Sequence, residues 1–331
     1  MVFGLGSGLV GQEASAFHSK INGVNLVASP QPIRIEDLRT VLQVQAEWVA
    51  IVPFAFSRPG KPQVIYHVNG QWWGETPEGI RATARMAHQL GLKVLLKPHV
   101  WVVHEGWPGD FTLKSEADWQ EWEKQYSQYI LRMARLAREE GIEMLSIGTE
   151  FRQAVRQRPQ FWKRLIKAVR QVYTGALTYT ANWDNYQNVR FWADLDYIGL
   201  SGYFPLVKKA TPEVEELVQA WQQGPVPRLE ALSRRYHKPI LFTEFGYRSE
   251  DYSAWRHWEG GRGPVNLQAQ ANAYEAFFRV FWSRPWVAGG FLWKWFTHPR
   301  RGGRGHNGFT PQNKPAMQVI RRWYGSQQAG E

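Results

Sequence analysis

A chain of 331 residues with 44% hydrophobic and 15% aromatic side chains has enough apolar surface to offset the entropy of ordering it, which excludes a disordered protein. It has no cysteine, so disulfide and thiolate chemistry are excluded and the redox compartment stays open. Lysine and arginine outnumber aspartate and glutamate by 40 to 29, a formal charge of +11; this is the balance of a nucleic-acid binder, but only "HPRRGGRGH" (298–306) concentrates it, and a solvated loop is expected there.

Residues 1–20 begin "MVFGLGSGLVGQEASA". The stretch is weakly apolar and rich in glycine, and it lacks a basic start, so it is expected to be a flexible extension or the remnant of a signal peptide. No run of about 18 apolar residues follows, so no membrane-spanning segment is expected and the choice between cytoplasm and secretion stays open. From residue 21 apolar runs of strand length recur: "INGVNLV" (21–27), "WVAIVPF" (48–54), "KVLLKPHV" (93–100), "MLSIGTE" (144–150), "LTYTAN" (177–182), "DYIGLSGY" (196–203), "PILFTEF" (239–245) and "GGFLWKWF" (289–296). Amphipathic segments separate them. Helices are predicted over 34–46, over 76–90 behind a Thr-Pro start signal, over 116–140 closed by Gly141, over 159–173 and over 267–283. A longer connection with the Pro-rich piece "GPVPRLEALSRRYHKP" joins the sixth strand to the seventh. Eight β-α alternations without a linker predict one α/β domain over 21–325, a (β/α)8 TIM barrel, with 326–331 as a tail. An open doubly wound sheet is the rival, but "NLVASPQP" after the first strand has no phosphate-binding glycine pattern.

In such a barrel the chemistry gathers at the carboxyl ends of the strands. Glu150 in "EMLSIGTEF" and Glu244 in "KPILFTEFGY" each close an apolar run, where an unpaired carboxylate is costly. One such residue is more often an ion-pair partner than a catalyst. Two in matching contexts, at the fourth and seventh strands, point to glycoside hydrolysis, which needs one carboxyl to protonate the leaving oxygen and another to attack or to activate water.

Lys97 and His99 in "LLKPHVW" share a strand face. A lysine inside an apolar strand needs a partner, either a hydroxyl or carboxylate in the sugar site or a buried structural ion pair. His99 and His104 lack a third ligand nearby, so no metal is expected. Asn182 and Trp183 end the fifth strand, Tyr203 ends the sixth and Trp293 lies in the eighth; they offer an amide for sugar hydroxyls and rings for pyranose faces. Trp72, Trp73 and Trp101 are further candidates for the cleft, although tryptophans more often fill gaps.

Taken in order, "IGTEF", "NWDN", "GLSGYFPL", "FTEFGY" and "FLWKWF" resemble glycoside hydrolase family 113, a family of β-mannanases in clan A, and the likeness spans about residues 21–324. The resemblance implies that Glu150 is the general acid/base, that Glu244 is the nucleophile, and that Tyr203 donates a hydrogen bond to it. It also implies a monomeric, retaining endo-β-1,4-mannanase without a cofactor, acting on β-mannan and mannooligosaccharides. Clan members often carry Asn before the acid/base; Thr149 stands here, which fits family 113 and removes the usual Asn contact to the sugar 2-hydroxyl. The residues alone do not say which glutamate is the acid. They also leave open an exo-acting β-mannosidase or another β-glycosidase on the same barrel. A non-catalytic sugar-binding barrel and a nucleic-acid binder that stacks bases on Trp and Arg are rivals of another class. Two facing carboxylates speak against both, because they would repel phosphate and a binding module does not need them.

Overall fold

The computed structural model describes residues 20–326 apart from 67 and 262. The expected extension 1–20 and tail 326–331 therefore lie outside the described residues, except for Lys20 and Ser326 at their edges. Among the described residues ten strands form: β1 (Ile21–Leu26), β2 (Trp48–Ile51), β3 (Phe54–Ser57), β4 (Lys93–Leu96), β5 (His99–Val102), β6 (Met144–Thr149), β7 (Ala176–Asn182), β8 (Ile198–Ser201), β9 (Ile240–Phe245) and β10 (Val287–Trp295). Eight of them close a parallel barrel in the order β1-β10-β9-β8-β7-β6-β4-β2. Parallel strands covered on both faces read as continuous apolar runs, and every residue of β1, β6 and β9 is buried. The barrel is the expected (β/α)8 fold.

Two predicted strands, 48–54 and 93–100, are each split, and the cause is proline. Pro53 and Pro98 have no N–H to give to a ladder, so β2 and β4 end just before them. Pairing resumes beyond, since Lys97 N donates to Ile51 O at 2.8 Å and His99 N to Pro53 O at 2.9 Å. The continuations β3 and β5 form their own two-stranded ladder, with Phe54 opposite His99 and Phe56 opposite Trp101. This ribbon extends one side of the barrel past its mouth.

Around the barrel lie α1 (Ile35–Arg39), α2 (Pro77–Gln89), α3 (Glu116–Glu139), α4 (Arg152–Gln157), α5 (Pro159–Arg170), α6 (Val214–Gln223), α7 (Pro225–Tyr236), α8 (Leu267–Phe281) and α9 (Pro315–Gly325). Thr76 caps α2 by accepting from Gly79 N at 3.1 Å, and Ser115 caps α3 by accepting from Asp118 N at 3.1 Å, as their positions before the helices require. The helix predicted over 34–46 is shorter, because Thr40–Val44 tightens into a 3-10 turn that ends at the left-handed Gln45. The Pro-rich connection is itself helical. Pro225 occupies the first turn of α7, where a missing N–H costs nothing.

Most of the core lies between barrel and helices. A smaller cluster made of strand residues, including Ile21, Leu95, Met144, Leu241 and Phe291, fills the inside. Phe291 presses so closely on Gly23 that a Cβ there would meet its ring at 2.3 Å. Among the described residues no helix is long and apolar enough to cross a membrane.

Candidate active site

The two glutamates reach the mouth in different ways. Glu244 is the penultimate residue of β9 and is only 5% exposed. Glu150 follows β6 directly. Its N–H still pairs with Thr180 O of β7 at 2.8 Å, but its φ of 57° is left-handed, and the chain turns there into α4. For a residue with a Cβ that conformation costs roughly 1–2 kcal/mol.

Glu244 has donors on both oxygens. Lys97 Nζ lies 2.7 Å from Oε1 and Tyr203 donates its hydroxyl to Oε2 at 2.9 Å; His99 Nε2 stands 3.5 Å from Oε1. Lys97 is fully buried and also donates to Thr243 O at 3.2 Å. Burial lowers its pKa, opposed by the carboxylates of Glu244 and Glu150. Burial, assisted by the Lys97 charge, pushes His99 well below the ordinary imidazole range, so it faces Glu244 as a neutral ring. Burial and the Glu244 charge push Tyr203 well above its ordinary value, which keeps it a donor.

Glu150 has a different environment. Burial, followed by the Glu244 charge, raises its pKa to about 7, against hydrogen bonds from Ser201 and Trp107 and the charge of Lys97. Trp107 Nε1 donates to Glu150 Oε2 at 2.6 Å. The Arg152 guanidinium lies over the Trp107 ring, 4.9 Å from its centroid, and is held by Asp110 and by Asp184, the latter at 3.0 Å.

These groups share a cavity of about 720 Å³. Glu150, Glu244, His99, Asn182, Trp183, Tyr203 and Trp293 all line it, as does Trp101, which is 48% exposed on the β3–β5 ribbon. Lys97 does not. Its ammonium is buried and pairs with Glu244 Oε1, the carboxylate contact expected for it in the site. Trp293 stacks on His99 with ring centroids 6.3 Å apart, and the Lys97 ammonium is 5.2 Å from its ring. Trp183 stacks on Trp258 at 5.7 Å, so the aromatic platform there is a pair rather than one ring. Asn182 donates to Asp184 Oδ1 at 3.1 Å.

Trp72 and Trp73 belong to the turn before α2 and do not line the cavity. The adjacent tryptophans signal a surface turn, not a cleft. His104 is exposed in the turn after β5, and no group of three potential metal ligands occurs among the described residues. The sequence reading missed Trp107, Arg152, Asp184, Trp258, Phe54 and Phe309, which also line the cavity. Asp184 sits inside the quoted "NWDN" and Arg152 opens α4 just after "IGTEF"; the others come from loops, a short turn or the far ribbon, where no periodicity marks them.

A model of Glycoside Hydrolase Family 113 matches residues 31–325. No curated protein matches the chain. Among solved structures, a family 113 β-mannanase from Alicyclobacillus acidocaldarius in complex with ManMIm superimposes with a TM-score of 0.83 at 27% identity, covering 95% of this chain and 100% of that one. A family 113 β-1,4-mannanase superimposes with a TM-score of 0.81 at 28% identity, covering 93% and 100%. A β-glucuronidase from an uncultured Clostridium sp. shares the fold at 14% identity, with a TM-score of 0.63 over 93% of this chain and 50% of that one.

Proposed function

Because the chain belongs to glycoside hydrolase family 113, we propose that it hydrolyses β-1,4-mannosidic bonds in mannan and mannooligosaccharides by double displacement, with Glu244 as nucleophile and Glu150 as acid/base. The observation that carries the assignment of roles is the unequal setting of the two carboxyls. Glu244 meets a cation and a phenol, one on each oxygen, a setting that suits an anion. Glu150 has a pKa of about 7, which suits a proton donor near neutrality.

In the first step Glu244 attacks the anomeric carbon while the bond to the leaving oxygen breaks and Glu150 gives that oxygen its proton. The Trp107 N–H holds Oε2 of Glu150 and so orients the carboxyl that delivers the proton. Once Glu244 is an ester its charge is gone, and with it the second cause of the raised pKa of Glu150. Glu150 then remains ionised and serves as base. It takes a proton from water, the water oxygen attacks the anomeric carbon from the side the leaving group vacated, and Glu244 is released. Lys97 and Tyr203 stay on Glu244 throughout and receive its returning charge. Trp293 and the Trp183–Trp258 pair offer faces for pyranose rings.

The test is to follow hydrolysis of mannan, mannooligosaccharides and cellulose by NMR. The expected first-formed product is the β-anomer, from mannose-based substrates. An α-anomer formed first would overturn double displacement, and cleavage of cellulose with mannan untouched would overturn the substrate.

A further inference from the structure

Arg152 is the second residue after Glu150, and its side chain returns to that carboxyl by way of another loop. The chain turns at Glu150 and Arg152 opens α4, so the guanidinium rides on the element that Glu150 introduces. It reaches across to the loop between β5 and α3, where its Cζ stands 4.9 Å from the centroid of the Trp107 ring, and the N–H of that ring holds Glu150 Oε2 at 2.6 Å. Trp107 precedes a short 3-10 turn, Pro108–Asp110, and belongs to no helix or strand. Its indole is held by side contacts. One edge packs on Gly109, where a Cβ would meet the ring at 2.1 Å, and one face lies under the guanidinium. The guanidinium is gripped in turn from two segments, by Asp110 of the same turn and by Asp184 after β7, the latter at 3.0 Å. A planar fork suits two carboxylates and a ring face together.

We infer that Arg152 is a positioning residue for the proposed acid: by clamping the Trp107 indole it sets the hydrogen bond that orients the Glu150 carboxyl. This rests on the reading of Glu150 as acid/base. The Arg152 charge is offset by Asp110 and Asp184, so its effect passes through the ring and not through space. Glu244 and Lys97 supply the other charges that act on Glu150, and both stay in place in the variants below. A carboxyl turned away from the leaving oxygen slows the chemical step more than it weakens binding.

The test compares pH profiles of kcat/KM on mannooligosaccharides for the wild type, Arg152→Met and Asp110→Ala, each made also in a Trp107→Phe background. The two substitutions change the charge with opposite sign. Acting through space, loss of the cation would raise the pKa of Glu150 and loss of the anion would lower it. Acting through Trp107, both weaken the same hydrogen bond. Both should then move the alkaline limb to higher pH, by roughly half to one unit, the worth of one hydrogen bond, and Arg152→Met should lower kcat roughly tenfold with KM little changed. Neither should move the limb further in the Trp107→Phe background. Asp110 is 60% exposed, so Asp110→Ala decides the matter even where Arg152→Met does not fold. A limb that stays or moves to lower pH in Asp110→Ala, or that still moves once Trp107 is Phe, overturns the positioning role and leaves the acid in place. A wild type whose kcat/KM does not fall on the alkaline side overturns Glu150 as the acid, and the positioning role with it.

Discussion

The Trp107 indole acts on the proposed acid, Glu150, through a single hydrogen bond, and its effect has a definite sign. A donor on a carboxylate favours the ionised form, so this bond holds the pKa of Glu150 lower than burial and Glu244 alone would set it. With Glu150 at about 7, its proposed role as acid means that kcat/KM should fall as pH rises past neutrality. Trp107→Phe removes the donor. The alkaline limb should then move to higher pH, and kcat should drop on the order of tenfold for natural substrates but little for aryl mannosides with acidic phenols. An alkaline limb that stays in place would mean that Trp107 only packs. Glu150 and Glu244 were legible in the sequence because a charge at the end of an apolar run is conspicuous. Trp107 was not, since a loop residue reaches a strand-end carboxyl only through the folded path of the chain; nor was Arg152, whose partners Trp107, Asp110 and Asp184 lie in other segments. The left-handed backbone of Glu150 was equally hidden, because no glycine or asparagine marks it.

Elements were legible wherever side chains alternate between core and solvent. The helix α3 buries Trp119, Trp122, Tyr126, Tyr129, Ile130 and Met133, a spacing of three and four that the sequence displays openly. Prolines were harder to read. Pro53 and Pro98 split two strands that looked continuous, whereas Pro225 begins a helix inside what looked like a connection; the same residue stops a ladder and starts a helix because it lacks the same N–H. Caps are more dependable. Thr76 accepts from Gly79 N at 3.1 Å and donates to Trp73 O at 2.8 Å, so Thr76→Ala should destabilise the protein by about 1 kcal/mol. Denaturant unfolding should show a lower midpoint with kcat unchanged, since Thr76 does not line the cavity. An unshifted midpoint would show that other contacts start the helix.

At the scale of the whole molecule much of the positive charge is paired. Arginines pair with acids of neighbouring helices, as Arg85 of α2 does with Glu140 at 2.7 Å and Arg322 of α9 with Glu275 of α8 at 2.5 Å, and each exposed pair is worth little. A buried cation matters more. Lys314 is 4% exposed and donates to Ser249 Oγ at 2.7 Å and Gly308 O at 2.9 Å, tying the strand-end loop after β9 to the one after β10. Burial lowers its pKa from 10.5 to about 7. Between those values the unfolded chain holds the proton and the folded one does not, so this residue makes stability rise with pH from about 7 upward. Melting temperatures of the wild type and Lys314→Met should therefore draw apart as pH rises, the variant lacking that increment; parallel curves would show that the ammonium stays charged in the fold. The plug of Phe291 against Gly23 has a consequence for traffic. With Ile21, Leu95, Met144 and Leu241 filling the inside, the cavity has no exit through the barrel, and whatever enters or leaves does so on the carboxyl-end face. On the mechanism proposed, the departing sugar and the incoming water approach the same side of the glycosyl ester. A sugar that lingers there would stand where the water should stand and take the glycosyl group itself, so crowded substrate would be joined as well as shortened.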